Sequence, residues 1–268
     1  MKTFEELGVS PEIRRAIEEM GYENPMPVQE EVIPYLLGEN NDVVALAQTG
    51  TGKTAAFGLP LLQQIDVKNR IPQSLILCPT RELCLQIAGD LNDYSKYIDG
   101  LKVLPVYGGS SIDSQIRSLK RGVHIIVATP GRLLDLMERK TVSLSTIRNV
   151  VMDEADEMLN MGFTDSINAI LADVPQERNT LLFSATMSPE IARISKNYLP
   201  GSAQCVRPSD AARVGRWSAR TTCIPAAYPR CQTRFAATPS SGGAHRVPVW
   251  FGWRKSRCRR PPAAPVRG

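Results

Sequence analysis

Through its first 200 positions the chain alternates between two hydrophobic patterns. Short runs that are apolar at nearly every position lie at residues 42–46, 74–78, 102–106, 124–128, 149–153 and 180–184. A strand with one wet face would alternate apolar and polar residues; continuous runs predict strands of a parallel sheet covered on both faces. Between the runs lie longer amphipathic stretches, with helical patterns starting near Lys53, Arg81, Ser111, Gly131 and Asp165. Another spans 188–198, where Ser188 is placed to cap and Pro189 suits the first turn. Residues 10–20 and 27–37 read as two further helices ahead of the first strand. Six strands joined by helical crossovers predict an α/β fold, a doubly wound and mostly parallel sheet. In such folds chemistry collects at the C-terminal ends of the strands.

The pattern stops at Pro200. Residues 201–268 contain no Leu, no Met and one Ile, but eight Pro, twelve Arg and four of the six Cys. That composition builds no core and predicts a basic, disordered tail. Three domains follow: a helical segment at 1–38, an α/β domain at 39–200 and the tail at 201–268. Charge divides at the same place. The first 200 residues hold 19 basic and 26 acidic side chains, a net of −7, whereas the tail nets +12, so the overall +5 describes neither part. Three accounts of the tail stand open: an RNA-binding arm drawn to phosphates, an out-of-frame end, or a small folded module. The out-of-frame end fits best, because evolved disordered tails favour Glu, Lys, Ser and Gln over Trp and Cys.

Cys205, Cys223, Cys231 and Cys258 lack paired spacing and nearby His, so neither a zinc site nor a disulfide framework is expected. His124 opens an apolar run and reads as a strand-edge residue. No run of eighteen apolar residues occurs and the first residues lack a signal-peptide pattern, so a cytoplasmic protein without a membrane partner is expected.

Two motifs carry candidate chemistry. Gln48, Thr49, Gly50, Thr51, Gly52, Lys53 and Thr54 follow the first strand and open a helix. A glycine-rich turn there lets backbone N–H groups surround phosphates, with Lys53 adding a point charge and Thr54 a hydroxyl for Mg²⁺. About a hundred residues on, Asp153-Glu154-Ala155-Asp156 ends another buried strand. Carboxylates in such a place are costly unless they meet a cation. Asp153 is therefore placed to hold Mg²⁺ through water, and Glu154 to polarise a water that attacks a γ-phosphate.

Asp153-Glu154-Ala155-Asp156 resembles the signature of the DEAD-box ATP-dependent RNA helicases, and other family motifs follow in the family's order over residues 4 to about 199. Gly21-Tyr22-Glu23-Asn24-Pro25-Met26-Pro27-Val28-Gln29 resembles the Q motif, with Phe4 at the upstream aromatic position and Met26 where the family usually has Thr. Pro79-Thr80-Arg81-Glu82-Leu83, Gly108-Gly109, Thr129-Pro130-Gly131-Arg132 and Ser184-Ala185-Thr186 resemble the next four. The resemblance implies the N-terminal RecA-like P-loop domain of such a helicase, with ATP and Mg²⁺ as cofactors and RNA as partner.

Under that resemblance Gln29 would read the adenine edge with its planar amide and Phe4 would stack on the ring, with Tyr22 a further nucleotide-binding residue. Pro79, Thr80, Arg81, Gly108, Gly109, Thr129, Pro130, Gly131 and Arg132 would hold the RNA sugar-phosphate chain without reading its bases. Ser184 and Thr186 would couple the nucleotide site to RNA by hydrogen bonds to the 153–156 segment. The family's second half carries an arginine-rich motif. The 68 residues after Pro200 are too few for such a domain, and neither Arg213-Val214-Gly215-Arg216 nor His245-Arg246 has the motif's glycine spacing. Without an arginine finger, hydrolysis slows by roughly 10³ to 10⁵, so binding of ATP with feeble turnover is expected. The alternative is a non-catalytic ATP- and RNA-binding fragment of a truncated or frameshifted helicase gene.

Overall fold

The structure, a computed structural model, describes residues 2–38 and 42–199, and the backbone of Gln204–Val206 and Gly215–Arg216. The tail accounts concern residues that otherwise lie outside this set.

Two helices, α1 (Pro11–Glu19) and α2 (Pro27–Leu37), precede β1 (Val43–Leu46) and α3 (Lys53–Gln64). The chain continues through β2 (Ser74–Leu77), α4 (Arg81–Tyr94), β3 (Val103–Val106), α5 (Ile112–Lys120), β4 (Ile125–Ala128) and α6 (Pro130–Glu138). It ends with β5 (Asn149–Met152), α7 (Ala155–Asn160), α8 (Thr164–Asp173), β6 (Asn179–Ser184), α9 (Pro189–Tyr198), β7 (Gln204–Val206) and β8 (Gly215–Arg216). The strand order is β3-β4-β2-β5-β6-β1-β7-β8. All pairings among β1 to β7 are parallel; β8 alone runs antiparallel, to β7.

The all-apolar runs are explained by two cores, one on each face. Val43, Ala45, Ile76, Val151 and Phe183 point to the face covered by α1 to α4. Val44, Leu75, Leu77, Val150, Met152 and Leu182 point to the face covered by helices including α6, α8 and α9. Successive residues of a strand thus enter opposite cores, and each fully buried Val, Leu or Ile contributes roughly 1.5–3 kcal/mol. The most exposed of the first six strands, β3, is at the sheet edge, the position where Pro105 can lack a donor without breaking an interior ladder.

The expected six-strand parallel arrangement is present, and three details differ. The sheet continues past Pro200, because β7 pairs with β1. Asp153 is not on a strand next to the glycine-rich loop: β6 lies between β1 and β5. A short helix, α7, starts directly after the acidic strand end. Among the described residues no helix is long and apolar enough to cross a membrane.

Candidate functional site

The sheet order gathers the motifs into two groups at the C-terminal ends of the strands. One group follows β1, β5 and β6, which are contiguous; the other follows β2, β3 and β4, also contiguous.

In the first group the chain turns sharply after β1. Gly52 is left-handed at φ +80 and caps α3, and a Cβ there would stand 2.4 Å from Gln29 Nε2. Only glycine fits both demands. Thr51 Oγ1 donates to Gln48 O at 2.7 Å, closing the turn, while Thr49, Gly50, Gly52, Lys53 and Thr54 face a cleft of about 480 Å³. The unpaired N–H groups of the α3 N-terminus give the adjoining space a positive potential.

Lys53 is 6% exposed and its Nζ lies 3.4 Å from Asp153 Oδ1 and 3.9 Å from Glu154 Oε1. Neither approach has hydrogen-bond geometry, so this buried ammonium is without a hydrogen-bond acceptor. Asp153 is 2% exposed. Burial raises its carboxyl above the usual range, and the neighbouring Lys53 cation opposes that rise. Glu154 occupies the left-handed region at φ 49, ψ 50, unusual for a residue with a side chain. Its Oε1 accepts from Thr49 Oγ1 at 2.9 Å, which ties the acidic segment to the glycine-rich loop. Ammonium, carboxylates and helix dipole converge here, the charges paired but the ammonium without an aligned hydrogen-bond acceptor.

The Q-motif residues divide between wall and support. Tyr22 lines the cleft, whereas Phe4 is 6% exposed and packs behind it, ring centroids 6.4 Å apart. Phe4 does not line this cleft; it packs on Tyr22, which presents the aromatic surface there. Gln29 is 1% exposed; its Oε1 accepts from Met26 N at 2.9 Å and its Nε2 donates to Gly52 O at 3.1 Å. These bonds use one amide hydrogen and one lone pair, and the side chain lies behind the cleft wall rather than lining it.

Four cleft residues were missed in the sequence: Leu83, Gln86, Asp90 and Tyr94 of α4. Their spacing of three, four and four is a helical stripe, the signal that would have found them. Tyr94 shares a 3.0 Å hydrogen bond with Tyr22 across the cleft wall, and burial raises the Tyr94 phenol above its ordinary range.

After β6, the backbone N and Oγ1 of Thr186 both donate to Asp156 Oδ2, each at 3.0 Å. Ser184 Oγ donates to Thr186 O at 2.7 Å. The Ser-Ala-Thr turn is thereby tied to α7.

The second group is open. Thr80 caps α4 by accepting from Leu83 N at 3.2 Å, with Pro79 buried behind it. The Arg81 guanidinium lies over the Tyr107 ring, 5.0 Å from the centroid, and beside Gly109. Thr129 precedes Pro130, the first residue of α6. Arg132 Nη1 donates to Ser110 O at 3.2 Å and to Gln115 Oε1 at 3.1 Å, joining the ends of β3 and β4. A Cβ on Gly108 or Gly131 would meet nothing within 4 Å, and neither residue has a left-handed φ. No described neighbour requires glycine at these two positions, and a side chain at either would project into open space.

Residues 26–194 match the DEAD/DEAH box helicase family. The chain belongs to that family. Similar DEAD-box relatives include the ATP-dependent RNA helicase CshA of Geobacillus kaustophilus, 51% identical over 199 residues that make up 74% of this chain and 42% of the relative. DeaD of Buchnera aphidicola is 51% identical over 197 residues, 74% of this chain and 33% of the relative. This chain thus spans about two fifths or less of the curated DEAD-box relatives it matches, and corresponds to their N-terminal part. Among solved structures, a DEAD box protein from Methanococcus jannaschii is 40% identical with a TM-score of 0.74, covering 78% of this chain and 57% of that one. A hypothetical ATP-dependent RNA helicase from Sulfolobus tokodaii is 42% identical with a TM-score of 0.67, covering 73% and 56%. The fold is the RecA-like domain of the DEAD-box proteins.

Proposed function

We propose that this domain binds ATP in the cleft beneath Tyr22 and grips single-stranded RNA along the ends of β2, β3 and β4, as the N-terminal half of an ATP-dependent RNA helicase. The observation that carries the reading is the buried Lys53 Nζ, ion-paired with two carboxylates at a helix N-terminus yet without an aligned hydrogen-bond acceptor. A phosphate chain supplies the acceptors that Lys53 and the loop N–H groups lack. The Thr54 hydroxyl and the buried Asp153 fit Mg²⁺, which takes few protein ligands and keeps several waters. Once bound, that ion would neutralise charge on the phosphates. Glu154, positioned by Thr49, orients the attacking water, and Tyr22 carries the base on its ring. Thr186 and Asp156 link this chemistry to the neighbouring strand end.

On the RNA side, Thr80, Arg81, Gly109, Thr129 and Arg132 meet phosphates and sugars, while Gly108 and Gly131 admit the backbone closely. Such contacts hold a strand without selecting its sequence. We place the protein in the cytoplasm, where reducing conditions suit the free thiols of Cys78 and Cys84.

Titration with a fluorescent ATP analogue tests the reading. Saturable, Mg²⁺-dependent binding that is lost in Lys53→Ala is expected, together with turnover that disappears in Glu154→Gln while binding survives. Equal binding by wild type and Lys53→Ala would overturn it.

A further inference from the structure

At the other end of the β3 edge, away from all the motifs, lies a groove of about 560 Å³ whose lining includes Arg70, Lys102, Ser118, Arg121 and Gly122 and no carboxylate. We propose that this groove is a second RNA-binding site, taking phosphates of a strand that has left the Gly108–Gly109 end of the same edge; it rests on the RNA reading given above.

The groove is built, not a chance scatter of surface charge. Gly122 is left-handed at φ +88, and a Cβ there would stand 2.7 Å from both the Cβ and the carbonyl oxygen of Arg70. The turn before β4 is therefore pressed against the turn before β2, which sets Arg70 beside Arg121 despite their like charge. His124 fastens the third cation's segment from below. It is fully buried, its Nδ1 accepts from Lys102 N at 3.0 Å, and its Nε2 lies 3.2 Å from Val67 O. That pattern needs a neutral imidazole with the proton on Nε2. Burial holds the His124 pKa below its ordinary value, and nearby Arg70 and Lys102 lower it further.

None of the three cations has an ion-pair partner among the described residues, and Arg121 bonds only the Ser118 hydroxyl, at 3.2 Å. The nearby Asp66 carboxylate is occupied by Lys68 N at 3.0 Å and Asn69 Nδ2 at 2.6 Å. The dipole of α5 accounts for Arg117 and Lys120 in its last turn, but not for Arg70 or Lys102, which are on other segments. In a domain whose net charge is −7 this cluster is locally inverted. From Lys102 to Gly108 along β3 is roughly 20 Å, a few nucleotides of extended RNA. The guanidinium and ammonium groups suit phosphate oxygens, and the shared strand makes RNA the polyanion already at hand.

Fluorescence anisotropy of the full chain with two labelled oligouridines, one of about five nucleotides and one of about fifteen, tests this. Arg70→Gln/Arg121→Gln should weaken the longer RNA about tenfold and reduce its log K against log salt slope by about 1.4, sparing the shorter RNA. Lys102→Gln should repeat the effect in smaller measure, with ATP-analogue binding and melting temperature unchanged in both. Arg132→Ala should weaken both lengths. Unchanged affinity for both RNAs in the groove variants, with Arg132→Ala weakening both, would overturn the groove while leaving the first site standing. Loss of long-RNA binding in the groove variants with no effect of Arg132→Ala would support the groove and reject the strand-end track. Displacement of the long RNA from the groove by polyglutamate at equal charge would overturn the assignment to RNA.

Discussion

The two halves of the sheet solve different problems with the same geometry. Around β1, β5 and β6 the polar groups are wired to one another, Lys53 to Asp153 and Gln29 to Gly52 with buried side chains, Thr49 to Glu154 and Thr186 to Asp156 nearer the surface. Around β2, β3 and β4 Arg81, Gly108, Gly109 and Gly131 are exposed, two of these glycines face open space, and Arg132 is held by Ser110 and Gln115. Burial makes the first half sensitive to any lost partner, because an unpaired charge in low dielectric costs far more than one in water. The second half tolerates substitution as a structure and is sensitive only as a surface. A pocket for a compact, highly charged ligand and a track for a long, repetitive one call for these two designs.

The contrast predicts a graded series. Lys53→Ala should cost the ATP analogue on the order of 100-fold in affinity, ~3 kcal/mol, as expected for truncating a buried charge partner. Gly52→Ala forces a Cβ into Gln29 in a left-handed conformation, so calorimetry should show a melting temperature lower by about 4 °C or more, along with weaker nucleotide binding. Arg132→Ala should weaken single-stranded RNA about tenfold and lower its salt slope by about 0.7, leaving ATP affinity intact. Gly131→Ala should separate the two properties most cleanly. In the first turn of α6, alanine stabilises by up to ~1 kcal/mol, so melting temperature holds or rises while RNA affinity falls severalfold.

The smallest effect concerns His124. Its folded pKa is lowered, so the unfolded state binds the extra proton first and stability contributed by the neutral ring is lost as pH falls below about 6.5. The urea midpoint should therefore drop between neutral and mildly acidic pH, and His124→Gln should drop less.

Much of this was legible in the chain because burial on both faces leaves a local mark. Val43 to Leu46 or Ile125 to Ala128 cannot be read as anything but interior strand, and a glycine-rich turn between such a strand and a helix has few other uses. What was not legible depended on order and depth. No local pattern says that β6 inserts between β1 and β5, so the meeting of Lys53 and Asp153 across an intervening strand emerges only in three dimensions. Nor does an aromatic residue reveal whether its ring lines a cleft or packs behind it; Tyr22 does the first and Phe4 the second. The six-residue α7 is too short for periodicity and begins from a left-handed Glu154. The partners of Arg132, Ser110 and Gln115, belong to a different loop and helix, joined to it only by the pairing of β3 with β4.

The most direct test is a pair of titrations, ATP analogue and labelled single-stranded RNA, on wild type, Lys53→Ala and Gly131→Ala. Two sites on two halves of one sheet predict a crossed result: Lys53→Ala loses nucleotide and keeps RNA, while Gly131→Ala keeps nucleotide and loses RNA. Variants that lose both ligands together, or neither, would contradict it.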